Sequence, residues 1–177
     1  AFTATAGPGL SLMAEAIGLA EMTETPLVVI DTQRGGPSTG LPTKHEQSDL
    51  MAAIYNTHGD TAKIVISPSS IEESFYDTFE AFNLAEEYQC PVIVLSDLQL
   101  SLGKQSVTSL DYGKLQVRRG KLVKDGLPEI KSPEYFKRYD LEAKGSISMR
   151  VLPGTPNGIS LGTGLEHDEV GRPSENR

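Results

Sequence analysis

Pro26-Leu27-Val28-Val29-Ile30-Asp31 is an unbroken apolar run closed by an acid. It is followed by Thr32-Gln33-Arg34-Gly35-Gly36-Pro37-Ser38-Thr39-Gly40-Leu41-Pro42-Thr43-Lys44, a loop rich in Gly and Pro. A continuous β-branched run without polar alternation suits a strand covered on both faces, the habit of parallel sheets. Working outward, Phe2 to Thr5 is a short β-leaning run, Lys63-Ile64-Val65-Ile66 is the next strand, and Pro91-Val92-Ile93-Val94-Leu95 repeats the buried apolar pattern. Between these runs the period changes. Leu10, Met13, Ala14 and Ile17 recur at helical spacing, and a helix is predicted over 46–56. Ser69 and Ser70 precede Glu72 and Glu73, two overlapping capping boxes. They open a helix that carries Ile71, Phe75, Phe79 and Phe82 along one side. The resulting order, β-α-β-α-β-α-β, predicts an α/β fold with a mainly parallel sheet covered by helices.

The chain has 177 residues and a net charge of −8, with charge of unlike character in its two parts. Residues 1–100 carry 3 basic and 14 acidic residues, and residues 101–177 carry 13 and 10. We therefore expect an α/β domain portion over 1–103 and a polar connector or C-terminal extension over 104–177, with a turn cluster at Leu152 to Gly158. A net negative chain is a poor nucleic-acid binder, because that affinity rests on neutralising phosphates. The single Cys90 rules out an intrachain disulfide framework and a Cys-based zinc or iron–sulfur site within this chain. No apolar run approaches the ~18 residues a membrane span requires. The chain opens with Ala1 inside a predicted strand, so a truncated or cleaved chain is expected.

The loop 32–44 is the most informative stretch for chemistry. It holds two cations, no acid, four hydroxyls and three glycines, within a half of the chain that is otherwise acidic. It leaves a buried strand at the carboxyl edge of the sheet, where open α/β sheets bind ligands. Arg34 offers a planar fork suited to carboxylate or phosphate. Gly36-Pro37-Ser38-Thr39-Gly40 also fits the G-x-S-x-G elbow of serine hydrolases, but an elbow needs strand, serine and helix in immediate succession. Gly7-Pro8-Gly9 stands between a strand and a helix as a dinucleotide turn does, yet Leu12 replaces the third glycine. That turn could hold an anion or a cofactor edge. His45 and His58 are acid–base candidates. Glu166-His167-Asp168-Glu169 reads as an exposed acidic turn rather than a metal centre, and Cys90 as a small core residue.

Thr5-Ala6-Gly7-Pro8-Gly9-Leu10-Ser11-Leu12-Met13, Gln33 to Thr43, Thr57-His58-Gly59-Asp60 and Ala81-Phe82-Asn83-Leu84-Ala85-Glu86 occur in that order. Pro153-Gly154-Thr155-Pro156 and Thr163-Gly164-Leu165-Glu166-His167-Asp168-Glu169 follow. Together they resemble the alpha subunit of 2-oxoacid:ferredoxin oxidoreductases along nearly the whole chain. The Arg-Gly-Gly-Pro-Ser-Thr-Gly-Leu-Pro-Thr loop is similar to that of the 2-oxoglutarate or broad 2-oxoacid branch. The resemblance implies the pyrimidine-type domain of the thiamine diphosphate-binding fold, present in part. It implies oxidative decarboxylation of a 2-oxoacid with coenzyme A and ferredoxin, giving acyl-CoA and carbon dioxide.

The resemblance also implies a cytoplasmic hetero-oligomer, in which a beta subunit holds the diphosphate, magnesium and an iron–sulfur cluster. It assigns Arg34, Ser38, Thr39 and Thr43 to the substrate, with Arg34 on its carboxylate, and Gly7, Pro8, Gly9 and His58 to thiamine diphosphate. The glutamate that activates the pyrimidine, and a Tyr-Pro-Ile-Thr-Pro motif, lie upstream of the matching strand in the family. No catalytic residue is therefore expected in this chain, and the chain alone is expected to be inactive. Two competing expectations are a non-catalytic accessory protein of the same fold and a serine hydrolase using Ser38.

Overall fold

In the computed structural model, four parallel strands pair in the order β1-β2-β4-β3. They are β1 (Phe2–Thr5), β2 (Leu27–Gln33), β3 (Ile64–Ile66) and β4 (Pro91–Asp97). The structure describes all residues except 125, 128, 130–134 and 177. Part of the predicted connector therefore lies outside the described residues. The register runs Leu27↔Pro91 to Gln33↔Asp97 between the two central strands and Phe2↔Val28 to Thr5↔Asp31 on the edge. The parallel α/β reading is thereby met.

Strand β2 separates two cores because its side chains alternate. Val29 packs on one face with Leu10, Ile17, Ala53, Ile93 and Leu95. Val28 packs on the other with Ala81, Ala85, Val92 and Val94. The first face is covered by α1 (Gly7–Leu12), α2 (Ala14–Met22) and α3 (Leu50–Tyr55), and the second by α4 (Ile71–Tyr88). Burying each aliphatic side chain contributes about 1.5–3 kcal/mol, so both layers are needed to offset the entropy of ordering the sheet.

Three local readings differ from the structure. The stripe Leu10 to Ile17 spans two helices, because Met13 bends the chain between α1 and α2. The helix predicted over 46–56 is confined to Leu50–Tyr55. Residues before it are held instead by long-range bonds: the Asp49 amide donates to Gln33 Oε1 at 3.0 Å, and Gln47 Nε2 to Asp97 Oδ2 at 2.7 Å. Strands β2 and β4 run two residues further than the apolar runs suggest, since their ladder continues to Gln33↔Asp97. Asp97 then caps α5 (Leu98–Leu102), accepting from the Leu100 amide at 2.7 Å.

Of the two capping boxes, Ser70 with Glu73 is the one formed. Ser70 Oγ accepts from the Glu73 amide, and the Glu73 carboxylate returns to the amide and hydroxyl of Ser69.

The first compact unit is Ala1–Arg118, so it continues past residue 103. Buried Asn83 explains the extension. Its amide donates to the Gln116 carbonyl at 3.0 Å and accepts from the Arg118 amide at 2.9 Å. Arg118 then pairs with Glu80 and Glu87 on α4.

The second unit, Arg119–Arg177, has a small core of its own. Phe136 and Tyr139 are buried, Tyr139 stacks on His167, and β5 (Leu122–Val123) pairs in parallel with β6 (Arg150–Val151).

Candidate functional site

The carboxyl edge of β2 delivers Arg34 directly, because the strand ends at Gln33. The loop after it folds back on itself. The Leu41 amide donates to the Gly35 carbonyl at 2.7 Å and the Gly35 amide to the Lys44 carbonyl at 3.0 Å. Gly36-Pro37 is a cis peptide. Gly40 has φ +54°, and a Cβ there would lie 1.9 Å from the Gly35 carbonyl oxygen, so only glycine closes this turn.

Opposite the loop stands the β1–α1 turn. Pro8 occupies the first turn of α1, where a missing N–H is harmless. Gly9 is forced by packing, since a Cβ there would overlap the Thr5 hydroxyl. Loop and turn enclose a cleft of about 160 Å³ lined by Gly7, Pro8, Arg34, Ser38 and Asp49 among others. Within it, Arg34 Nε is buried and has no hydrogen-bond partner among the described residues. A guanidinium left so carries an unmet demand for an acceptor.

The floor of this region is acidic. Asp31 is 0 % exposed and sits on the face of β2 that packs α1 and α3. Desolvation, and then the charge and hydrogen bond of Asp49, push its carboxyl up to about 7. Asp49 occupies the N-cap position of α3 without capping it. Its carboxylate lies against Gly7 instead, where an added Cβ would come within 2.9 Å of Oδ2.

Of the residues the sequence singled out, the structure thus brings together Arg34, Ser38, Gly7 and Pro8. Thr39 and Thr43 are exposed on the loop outside this cleft, and Gly9 packs on Thr5. His58 is not brought together with them: it is exposed in the α3–β3 connection, at the opposite edge of the sheet. Sequence reasoning missed Asp31 and Asp49 as site residues. The available signal was an acid at the end of a buried apolar strand.

Ser38 lies in mid-loop at φ +56°, and the next helix begins only at Leu50, so no nucleophile elbow exists. Cys90 is buried, and desolvation raises its thiol to about 11, which makes it inert. Among the described residues no group of three or more His, Cys, Asp or Glu is placed to hold a metal ion, and no helix is long and apolar enough to cross a membrane.

The cleft tests the implied cofactor. At about 160 Å³ it falls below the ~300 Å³ of ordinary ligand pockets, so it fits one ring or an acyl fragment rather than a whole thiamine diphosphate. A glycine–proline turn with an unpartnered donor facing it suits such a ring edge and a neighbouring carboxylate.

Comparison with known proteins agrees. The chain is 45 % identical over 172 residues to the 2-oxoglutarate synthase subunit KorA of Methanothermobacter thermautotrophicus, covering 97 % of this chain and 43 % of that protein. It is 44 % identical over 177 residues to the alpha subunit of 2-oxoacid:ferredoxin oxidoreductase 2 of Aeropyrum pernix, covering 99 % of this chain and 26 % of that protein. The chain therefore spans less than half the length of these relatives. A solved structure of 2-oxoglutarate:ferredoxin oxidoreductase from Magnetococcus marinus, with 2-oxoglutarate, coenzyme A and succinyl-CoA bound, superposes with a TM-score of 0.89 at 46 % identity. That superposition covers 99 % of this chain and 29 % of the other. The family description "Pyruvate flavodoxin/ferredoxin oxidoreductase, thiamine diP-bdg" matches residues 1–177 from end to end, and the chain belongs to that family.

Proposed function

We propose that this chain supplies the substrate-carboxylate loop and one edge of the thiamine diphosphate site in a 2-oxoacid:ferredoxin oxidoreductase of the 2-oxoglutarate type. The reaction would convert a 2-oxoacid, coenzyme A and oxidised ferredoxin into acyl-CoA, carbon dioxide and reduced ferredoxin. The observation that carries this reading is the buried, unpartnered Nε of Arg34 in a cleft shared with the Gly7-Pro8 turn. An ionised carboxylate is the acceptor that matches a guanidinium fork in charge and geometry.

In this reading Arg34 fixes the substrate carboxylate, and so the position of its 2-oxo carbon. Ser38 adds a hydroxyl from the cleft wall, Thr39 and Thr43 add hydroxyls from the same loop, and Gly7, Pro8 and Gly9 hold the cofactor edge. Thiamine diphosphate, when bound, supplies the nucleophilic carbon and the electron sink of decarboxylation. The contribution of this chain is orientation and charge complementarity rather than proton chemistry. Magnesium, the iron–sulfur cluster and the ferredoxin contact are assigned to a beta subunit, which makes the enzyme a hetero-oligomer. His58 is assigned to the cofactor by the family resemblance alone, and it lies exposed in the α3–β3 connection, outside the cleft.

The test is turnover by the purified, full-length complex. Reduction of ferredoxin should depend jointly on 2-oxoglutarate, coenzyme A and thiamine diphosphate. A complex that binds all three and reduces nothing would leave the accessory role instead.

A further inference from the structure

The Asp31–Asp49 pair has no part in the scheme above, yet it lies under the same cleft. Both Asp31 oxygens and Asp49 Oδ2 are buried without an N–H or O–H donor among the described residues. Asp49 stands where a side chain normally caps a helix, and it turns instead toward Asp31 and Gly7. Neighbouring carboxyl groups with three of their oxygens buried and unserved by a donor are accommodated by one shared proton, because two buried like charges side by side repel.

The charged groups on the surrounding elements do not change this. Strand β1, α1 and α5 carry none, and α3 carries only Tyr55; α2 carries Glu15 and Glu21, of which Glu21 accepts from the Ala62 amide and faces Lys63. The loop carries Arg34, Lys44, His45 and Glu46. Asp97 at the end of β4 is engaged by the Leu100 amide and Gln47.

We propose that Asp31 and Asp49 form a one-proton carboxyl pair that sets the charge of the Arg34 cleft, so that an anionic 2-oxoacid binds there with uptake of a proton. This rests on the substrate reading of Arg34 given above. With the proton shared the pair carries one negative charge, and without it two. Asp49 and Arg34 line the same cleft, so the second charge competes with the incoming carboxylate for the guanidinium. Anion binding and protonation of the pair therefore favour each other, and linkage makes the coupling reciprocal. The proton comes from solvent water and returns to it when the anion leaves, and no bond of the substrate is made or broken. The pair acts through Arg34 and the Gly7 turn, which makes it a positioning and charge-setting pair.

The sign follows from the pair's titration near neutrality. Asp31, pushed up by desolvation and by Asp49, holds its proton in mild acid and loses it as pH rises through about 7. KM for 2-oxoglutarate in the assembled full-length complex should therefore be about tenfold higher at pH 8.5 than at pH 6. Asp31→Asn fixes the lower charge, so its KM should stay level within about twofold and fall below wild type at pH 8.5. A structural role alone would not produce that improvement. Asp49→Asn removes the neighbouring charge but leaves the desolvated Asp31 carboxyl, so it should move the rise in KM to lower pH without abolishing it, and a rise unmoved from wild type overturns the proposal if Asp31→Asn does not fold.

Difference infrared spectroscopy gives a readout independent of turnover. A protonated-carboxyl stretch should titrate near neutrality in wild type, vanish in Asp31→Asn and titrate at lower pH in Asp49→Asn. A level wild-type KM, or an Asp31→Asn profile parallel to wild type, overturns the proposal. So does absence of the infrared band in wild type. Arg34→Ala separates the two layers of the argument. If it leaves KM unchanged at every pH, the substrate reading falls and this inference with it. If it raises KM at every pH while Asp31→Asn tracks wild type, only the pair is refuted.

Discussion

Arg34 holds its Nε buried and unpartnered, so the carboxylate proposed to bind there need not displace an internal partner to reach it. Arg34→Ala in the full complex removes the fork, and should cost about 2–5 kcal/mol in kcat/KM for 2-oxoglutarate. Arg34→Lys keeps the charge without the two-pronged geometry and should recover only part of the loss. A change within threefold of wild type, about 0.7 kcal/mol, would show the arginine to be incidental. Asp31 makes a prediction about stability. Its folded carboxyl titrates near 7 against an ordinary 3.8, so the native state holds more protons than the unfolded chain between those values. Stability contributed by the protonated form is complete below about 4 and is lost as pH rises through about 7, by about 2–4 kcal/mol. Asp31→Asn should therefore raise the unfolding midpoint of the full-length subunit more at pH 8 than at pH 5, measured by denaturant titration; an equal gain at both would contradict the shifted carboxyl. Arg34 and Ser38 were legible in the sequence because an acid-free, donor-rich loop after a buried strand is a local signal. Asp49 was not, because its position depends on β2 running on to Gln33, whose side chain anchors the Asp49 amide.

Helix α4 shows how local chemistry and long-range packing divide the work. Ser70 caps the helix at the Glu73 amide, and Glu73 closes the box on Ser69. Ser70→Ala should therefore lower stability by about 1 kcal/mol, and Ser70→Gly by only a few tenths, read from chemical denaturation. The hydrogen bonds from Ser69 hold the Glu73 carboxyl below its usual range. Its share of stability is present above the ordinary glutamate pKa and is lost as pH falls through the depressed value, so the Glu73→Gln difference should shrink in acid. A difference that grows in acid would contradict the cap. The order of strands and helices was readable because β2 and β4 are apolar, β-branched runs with little exposure on either face, set between segments of helical period. The ends were not. Tertiary bonds to Gln33 and Asp97 replace the first turn predicted for α3, and five-residue α5 is too short to show a period. The order β1-β2-β4-β3 leaves no mark in any one segment, since it depends on which strands the crossing helices bring side by side.

At the scale of the first compact unit, the side of α3 turned away from the core is apolar. Leu12 is 88 % exposed, Met51 63 % and Tyr55 69 %, with Leu50 and Ile54 beside them. Strand β1 pairs only with β2 and leaves Phe2 66 % exposed at the sheet edge. Single exposed apolar residues are ordinary, but an apolar helix face beside a ligand cleft, together with a bare sheet edge, marks surfaces that another polypeptide covers. The relatives are at least twice as long as this chain, and the proposed enzyme is built from two kinds of subunit, so covering surface is available in both cases. Residues 1–177 on their own should therefore associate at about 10–100 µM, a range in which surfaces worth about 5.5–7 kcal/mol pair. Sedimentation velocity reads the association directly. Met51→Glu combined with Tyr55→Glu places two carboxylates on exposed positions of α3, so it should shift the distribution toward monomer while leaving the circular dichroism unchanged. Leu12→Lys should act in the same direction from α1. If association survives these changes and is abolished by Phe2→Lys alone, the sheet edge is the adhesive surface and the α3 face is inert. A monodisperse wild-type monomer across that range would mean that neither surface needs a partner.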